Sequence, residues 1–485
     1  MKFLFLSLCF ILSCIAPAQR VITLEQALEE AEKNSPTMRE ARLSLEQNHQ
    51  NLVAQRAALK SKFALNLTPI AYSQGRRFSS DIGEWITTEN TSAGGSFSVI
   101  QPVAVTDGTV TLQNNFSWQD SYSSFGNSNQ FKGFSNNASL RIDQPIFTYN
   151  RTKMTVRQLE LALENSQIYY ATRLLSVEQQ VTQAFYTVHQ AQMDVEIGNE
   201  EYKNRKLSYD IIQNKVEAGL SAKEEAFQAE LDLLTSESGL YDKRVNLENQ
   251  LDNFKQFLGL PLDEDLVALA AINVDTVQVQ LQQAIERGLS SRMELRQREI
   301  EIEEGLFNIT QTKAMNEFKG NIAVNVGLFG EDEKFPSVYD RPVNNQDIAV
   351  SLTVPIFDWG ENKARRRAAQ AAQEIREYNF EDEKVNIALS IRQVVRNLIK
   401  LQNQIVIARK NEENATLTYN INLEKYKNGD LTSMDLNLVQ NQLTQQKLNL
   451  TNALIHYKLE LLNLKIQTLY DYEQGAPVVP NLGNQ

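Results

Sequence analysis

The sequence predicts a fold that is mainly α with some β, in which long antiparallel coiled-coil helices accompany a set of strands and the whole pattern is built twice within one chain. Three observations carry this expectation. Two segments repeat each other at a fixed spacing of 210 residues. In both, apolar residues recur at alternating steps of four and three, the spacing of helices packed as a coiled coil. Ahead of the second long stretch, apolar and polar residues alternate singly, the period of a sheet with one apolar face.

The chain opens with Met1-Lys2 and an apolar run from Phe3 to Ile15, short of the roughly 20 residues of a spanning helix. A basic start, a short apolar core and Ala16-Pro17-Ala18 read as a secretory signal peptide over residues 1–18. A rival reading is lipid attachment at Cys14 after Ile11-Leu12-Ser13, to which Leu12 is a poor fit. Both cysteines, Cys9 and Cys14, lie in this segment, so cleavage after Ala18 leaves no thiol, disulfide or cysteine metal site. No later stretch approaches the length of a spanning helix. Two classes remain: a soluble periplasmic protein, or an outer-membrane protein inserted through β-strands. The formal charge of -12 argues weakly against nucleic acid as a partner. Glycine and proline, 20 and 11 of 485 residues, are scarce enough to suit long helices.

The duplication is read from two landmarks. Gln144-Pro145-Ile146-Phe147 recurs as Val354-Pro355-Ile356-Phe357, and Lys215 to Gly219 recurs as Lys425 to Gly429, both at a step of 210. The seam Val177, Val181, Ala184, Val188, Ala191, Val195 is matched at that step by Ile387, Ile391, Val394, Leu398, Leu401, Ile405. Leu247, Leu251, Phe254 and Leu258 match Tyr457, Leu461, Leu464 and Thr468. The starts of the halves correspond at a larger step of 257, Leu24 to Ala27 with Leu281 to Ala284, which leaves an insertion of 47 residues in the first half between about Asn66 and Leu140. The first repeat is thus 19–270, the second 271–470, and 471–485 is a tail.

Each half reads as short helix, medium helix, strands, very long helix, tight turn, medium helix. The medium helix of the first half is expected from Pro36, a favourable first-turn residue, to Phe63. Strands are expected at about 64–72 and 136–147, within a strand region 64–147, and in the second half at 321–329 and 347–357, within 321–357. The very long helices start near Asn150 and Gly360 and form hairpins over 150–258 and 360–468, each long arm about 100 Å. Two strands per half leave unpaired edges, which are prohibitively costly in lipid. A barrel shared between chains removes them, and three chains with four strands each would close a twelve-strand barrel. The insertion is Ser-, Asn-, Gly- and aromatic-rich, with Ser96–Val105 and Thr109–Trp118 joined by Thr106-Asp107-Gly108. It reads as an extra surface hairpin, as two further barrel strands, or as an irregular extracellular loop.

This pattern resembles the TolC-like outer membrane efflux family across essentially the whole mature chain. The duplicated Pro-Ile-Phe strand ends, the Ala27 and Ala284 helices and the turn glycines Gly219 and Gly429 carry the resemblance. It implies a homotrimer whose strands form an outer-membrane β-barrel and whose helices form a periplasmic α-barrel. The tunnel would passively conduct drugs, peptides or proteins outward in a tripartite efflux or type I secretion system. The implied partners are a periplasmic adaptor (membrane fusion) protein, an inner-membrane pump of proton-driven or ABC type, and outer-membrane lipid. The location is then the outer membrane, with a large periplasmic portion.

The resemblance assigns adaptor docking to the tips, Ala218, Gly219 and Leu220 with Asn428, Gly429 and Asp430. It assigns a periplasmic gate to Tyr426 and Asp435, while Leu431 and Leu438 stand where the family has a gate arginine and a second aspartate. Three copies of Asp435 around an axis would favour cations, with Glu224 and Glu225 able to enlarge the acidic ring. Asp435 can equally just cap its helix after Thr432, as Glu224 would after Ser221. Pro145, Phe147, Pro355, Phe357 and Trp359 mark the junctions between strand and helix. The basic residues that follow, Arg151, Lys153, Arg157, Lys363, Arg365, Arg366 and Arg367, read as headgroup-level residues or as a solvated helix start, and Trp359 and Tyr149 suit an aromatic interface belt. His49, His189 and His456 have no ligand spacing, and no phosphate loop, nucleophile elbow or zinc motif is present. No cofactor and no enzymatic activity are expected. A periplasmic coiled-coil scaffold that never inserts is the rival class, against which the alternating strands speak.

Overall fold

The computed structural model describes residues 20–81, 83–125, 129–269, 277–428 and 430–478. The expected signal peptide, with Cys9 and Cys14, lies outside the described residues, as does Gly429. In order the elements are β1 (Arg20–Ile22), α1 (Leu24–Asn34), α2 (Pro36–Ala58), β2 (Lys62–Ser79), β3 (Glu84–Val103), β4 (Gly108–Ser123) and β5 (Asn129–Ile146). Then come α3 (Arg151–Glu217), α4 (Lys223–Leu258), β6 (Leu266–Ala268), α5 (Leu281–Ser291), α6 (Met293–Met315), β7 (Lys319–Asp332) and β8 (Val343–Thr353). The chain closes with α7 (Glu361–Asn428), α8 (Ser433–Thr468), β9 (Tyr470–Asp471) and β10 (Ala476–Pro477). The fold is mainly helical, with antiparallel sheet.

Two units divide these elements. One comprises the residues up to Leu45, Ser166–Arg296 and those from Glu381 on; the other comprises Glu46–Asn165 and Gln297–Phe380.

The first unit is helical. α4 and α8 have 36 residues each, and their first residues, Lys223 and Ser433, are 210 positions apart. Val177, Val181, Val188 and Ala191 on α3 are buried, as are Ile387, Ile391, Val394, Leu398 and Ile405 on α7. The four-and-three pattern is therefore the face that each rod hides. Phe254 and Leu258 on α4, and Tyr457 and Leu464 on α8, are fully buried. One core gathers Ala27 and Ala31 of α1, Met38 and Ala41 of α2, Val181, Phe185 and Val188 of α3, and Phe254 and Leu258 of α4. α1 starts on a capping box, in which the Thr23 hydroxyl accepts from the Gln26 N–H and the Gln26 side chain accepts from the Thr23 N–H. β1 pairs in parallel with β6, Arg20 opposite Leu266 and Ile22 opposite Ala268, and Arg20 is ion-paired with Glu264 and Glu30.

The second unit is built on one antiparallel sheet of six strands in the order β2-β3-β4-β5-β7-β8. The strand count corrects the expectation of four per chain. The insertion is not a separate surface hairpin: β3 and β4 lie in register between β2 and β5. The strands are also longer than expected, with β2 and β5 at 18 residues each. The medium helix ends at Ala58 instead of Phe63, because the alternation Phe63, Leu65, Leu67 already belongs to β2. At the other edge β8 ends at Thr353 instead of Phe357, since β7 begins at Lys319 opposite it and supplies no partner beyond. Pro145 therefore lies inside a strand, opposite Asn321, while Pro355 lies outside one.

Candidate functional site

The sheet has two chemically distinct faces, and the strand registers assign the paired residues to one or the other, across a register shift in β2 between Thr68 and Ala71. Residues directly opposite each other in an antiparallel pair stand on the same side. Phe63 faces Val99, Val99 faces Leu112, Leu112 faces Leu140 and Leu140 faces Val326. Leu65, Leu67, Phe97, Val110, Ile142, Ile322, Val324, Ile348, Val350 and Leu352 fall on that same side. The result is a continuous apolar band across all six strands. It is exposed: Phe63 is 69%, Leu67 68% and Ile348 77% accessible, whereas a sheet face in a water-soluble core would be covered.

The opposite face is polar. It carries Asn66, Ser96, Ser98, Gln113, Asn115, Ser117, Asn137, Ser139, Asn321, Asn325 and Asn345. Its strand charges are Lys62, Arg77, Arg141 and Lys319 against Glu84, Asp143, Glu331 and Asp347, which sum to zero. Arg141 and Asp143 pair at 2.7 Å. Beyond the apolar band, on the same face, stand aromatic residues. Phe78 meets Trp85 at 5.4 Å, Phe116 stacks on Phe134 at 6.0 Å, and Phe335 sits edge-on to both.

Among the described residues both edges of this sheet are unpaired: β2 bonds to β3 and β8 to β7 and to no other strand, and both are exposed along nearly their whole length. An even number of antiparallel strands makes the two edges run in opposite directions, so one copy's β8 can continue into another copy's β2 as an antiparallel pair.

The junctions from strand to helix are capped differently in the two halves. In the second, the Asp358 carboxylate accepts from the N–H groups of Gly360 and Asn362, both at 3.0 Å, and from the Asn316 amide. These donors, Asn362 first, hold the Asp358 carboxyl below the usual carboxylate range. Its counterpart in the first half, 210 positions earlier, is Thr148, which cannot supply a carboxylate. Asp107, from the turn of the insertion, takes over and accepts from the Thr152 N–H at 2.9 Å and from its hydroxyl. Asn150 caps Lys153 at 2.7 Å and donates to the carbonyls of Ala104 and Val105. Gly108 is closely approached, since an added Cβ would sit 3.1 Å from the Asp143 carbonyl oxygen. The sequence shows this turn but not what it holds.

Phe147 packs on Phe318 at 5.0 Å and Phe357 on Trp359 at 4.8 Å, with Phe147 and Trp359 both in the left-handed region. Trp359 is 90% exposed. The basic residues are partly satisfied within the unit: Arg157 is held by Glu303 at 2.7 Å, and Arg365 by Glu361, also at 2.7 Å.

In the helical unit the two tips share one backbone design. The Leu220 N–H donates to the Lys215 carbonyl at 2.7 Å, and 210 positions later the Asp430 N–H donates to Lys425 at 2.9 Å. This is the bond from second-beyond-end to third-from-end that closes a helix on a left-handed residue, here Gly219 at φ +70°. Ala218, Gly219, Leu220, Asn428 and Asp430 are exposed, and Leu220 is 78% accessible. Ser221 does not cap α4: the cap residue is Ala222, and the Ser221 hydroxyl turns to Glu225 instead. Thr432 does cap α8. Its hydroxyl accepts from the Asp435 N–H at 3.2 Å and contacts the Asp435 carboxylate at 2.7 Å.

The two residues that the resemblance assigns to a gate, Tyr426 and Asp435, are placed differently. Asp435 is exposed. Tyr426 is buried, with its hydroxyl 3.3 Å from the Ser208 hydroxyl and the Lys215 ammonium 5.0 Å from its ring. It packs with Ile212, Ala226, Tyr419 and Leu436. A cavity of about 620 Å³ lies beside it, bounded by Lys215, Leu220, Glu225, Asp430 and Asp435 among others. Sequence reading missed a polar link further along the rods, where buried Arg205 meets Asn441 at 2.8 Å and Asp232 meets Asn437 at 2.6 Å. Among the described residues no helix is long and apolar enough to cross a membrane, and no cluster of His, Cys, Asp or Glu could hold a metal.

The family model described as outer membrane efflux protein matches residues 109–260 and 285–465. A direct comparison with curated proteins finds no match. Among solved structures, the CmeC outer membrane channel of Campylobacter jejuni superposes with a TM-score of 0.70 at 16% identity, over 95% of this chain and 87% of that one. The outer membrane protein VceC of Vibrio cholerae gives 0.66 at 12%, over 94% and 97%. The open state of the Neisseria gonorrhoeae MtrE outer membrane channel gives 0.66 at 15%, over 95% and 90%. At these identities the likeness concerns the fold.

Proposed function

Because the chain belongs to the outer membrane efflux protein family, and is an outer-membrane protein with a large periplasmic portion, we propose that it is one wall of a homotrimeric export duct. The observation that carries this is the sheet: one exposed apolar face, one polar face and two open edges. The apolar band faces lipid, the polar face lines water, and closure with identical copies satisfies the edges. A stripe on α4 supports the same closure along the rods. Phe227, Leu231, Leu234, Tyr241 and Val245 recur at heptad spacing yet are exposed, which leaves them for a neighbouring copy.

The duct supplies no chemistry of its own. It takes solute from a periplasmic adaptor and an inner-membrane pump and passes it outward by diffusion. The exposed tips Ala218–Leu220 and Asn428–Asp430 meet the adaptor. Tyr426 acts at the gate as a fastener, tying the end of α7 to Ser208 on α3, while three Asp435 carboxylates surround the axis and attract cations. The signal peptide and the two structural repeats are part of this reading. In planar bilayers, Tyr426→Phe should raise the open probability, and Asp435→Ala should weaken block by multivalent cations applied from the tip side. A chain that fractionates as a soluble monomer would overturn the duct reading.

A further inference from the structure

The insertion that separates the two halves in register is a full part of the sheet. β3 has 20 residues and β4 has 16, against 18 for each of their neighbours β2 and β5. Their faces continue the pattern on either side. Phe97, Val99, Val110 and Leu112 lie in the apolar band, while Ser96, Ser98, Gln113 and Asn115 lie on the polar face. A plug or surface loop has no need of this two-faced pattern, whereas a wall does. The turn between the two strands is anchored, since Asp107 caps α3 and Asn150 binds the carbonyls of Ala104 and Val105. The hairpin thus sits in the wall and is fastened to the long helix that follows it.

Strand number sets bore, because barrel diameter grows about linearly with the number of strands. We propose that the β3–β4 hairpin widens the duct: three copies, joined β8 to β2, close an eighteen-strand barrel about 1.5 times as wide as a barrel of four strands per copy. The lining favours bulky hydrophilic solutes with little regard to charge, since the polar-face charges of the strands cancel. This rests on the trimer reading above.

Electron microscopy of the detergent-solubilised full-length assembly counts copies and strands separately. Three copies and eighteen strands are expected. Three copies with twelve strands, and residues 84–123 folded away from the wall, would overturn the widening and leave the duct intact. Any other copy number would overturn the trimer on which the bore depends. A second measurement compares the full chain with a deletion of 84–123, which joins the far ends of β2 and β5, by adding polyethylene glycols of graded size to the barrel side of single channels. The cut-off radius should fall about 1.5-fold in the deletion. An unchanged cut-off in a deletion that still forms trimeric channels would overturn the proposal.

Discussion

At the residue scale, the alternation of chemistry along a strand decides what each side chain can tolerate. Leu140 and Ser139 are adjacent in β5 but stand on opposite faces. An arginine at a lipid-facing mid-membrane position costs about 2–4 kcal/mol, and far less where the strand meets water. Leu140→Arg should therefore reduce the yield of assembled channel in the outer membrane, while Ser139→Arg should assemble normally and shift ion selectivity towards anions. Gly219 holds φ at +70° with nothing within 4 Å of an added Cβ. Replacing it by alanine then costs only backbone strain, about 1 kcal/mol, and faster amide exchange over residues 214–222 should report it. Asp358 gives a pH signature. Its carboxyl lies below the usual range because it accepts from Asn362, Gly360 and Asn316. The stability it supplies is present above the ordinary aspartate value and is lost as pH falls through the lower folded value. Asp358→Asn should melt earlier than the parent at pH 7, and the difference should shrink below about pH 4.

At the element scale, the rods were the most legible part of the sequence. A seam of Val177, Val181, Val188 and Ala191, repeated as Ile387, Ile391, Val394 and Leu398, is buried in both halves, and no other arrangement of those residues hides them on one side of a long helix. The strands were legible only where apolar alternation is dense. Phe63, Leu65 and Leu67 mark β2, but its remainder to Ser79 carries Ser73, Gln74, Gly75, Arg76 and Arg77, which have no apolar period. The insertion stayed open to three readings for the same reason. Its apolar alternation is interrupted: in β4 Val110 and Leu112 are parted from Phe116 and Trp118 by Asn114, and in β3 Phe97 and Val99 follow a run of Ser, Thr, Asn and Gly. The cap from Asp107 to Thr152 spans 45 residues and has no local signature. Losing an N-cap side chain costs about 1 kcal/mol. Asp107→Ala should therefore speed proteolysis at the start of α3, and Asp107→Asn, which keeps an acceptor, should restore most of the protection.

At the scale of the whole molecule, the sheet of six strands is finished on neither edge among the described residues. Its apolar band is too wide and too exposed to belong to a water-soluble surface, and its polar face is too uniform to be a core. In the proposed duct, and in keeping with membership in the outer membrane efflux protein family, that sheet has a bilayer on one side and water on the other. Alternate-residue cysteine scanning along β5 from Ala138 to Asp143 tests this assignment most directly. The mature chain would carry no other thiol if cleavage follows Ala18. A charged, membrane-impermeant thiol reagent should modify cysteines at 139, 141 and 143 and reduce single-channel current, while those at 138, 140 and 142 stay unmodified in the membrane. Equal labelling at every position, or labelling confined to the even positions, would contradict the account.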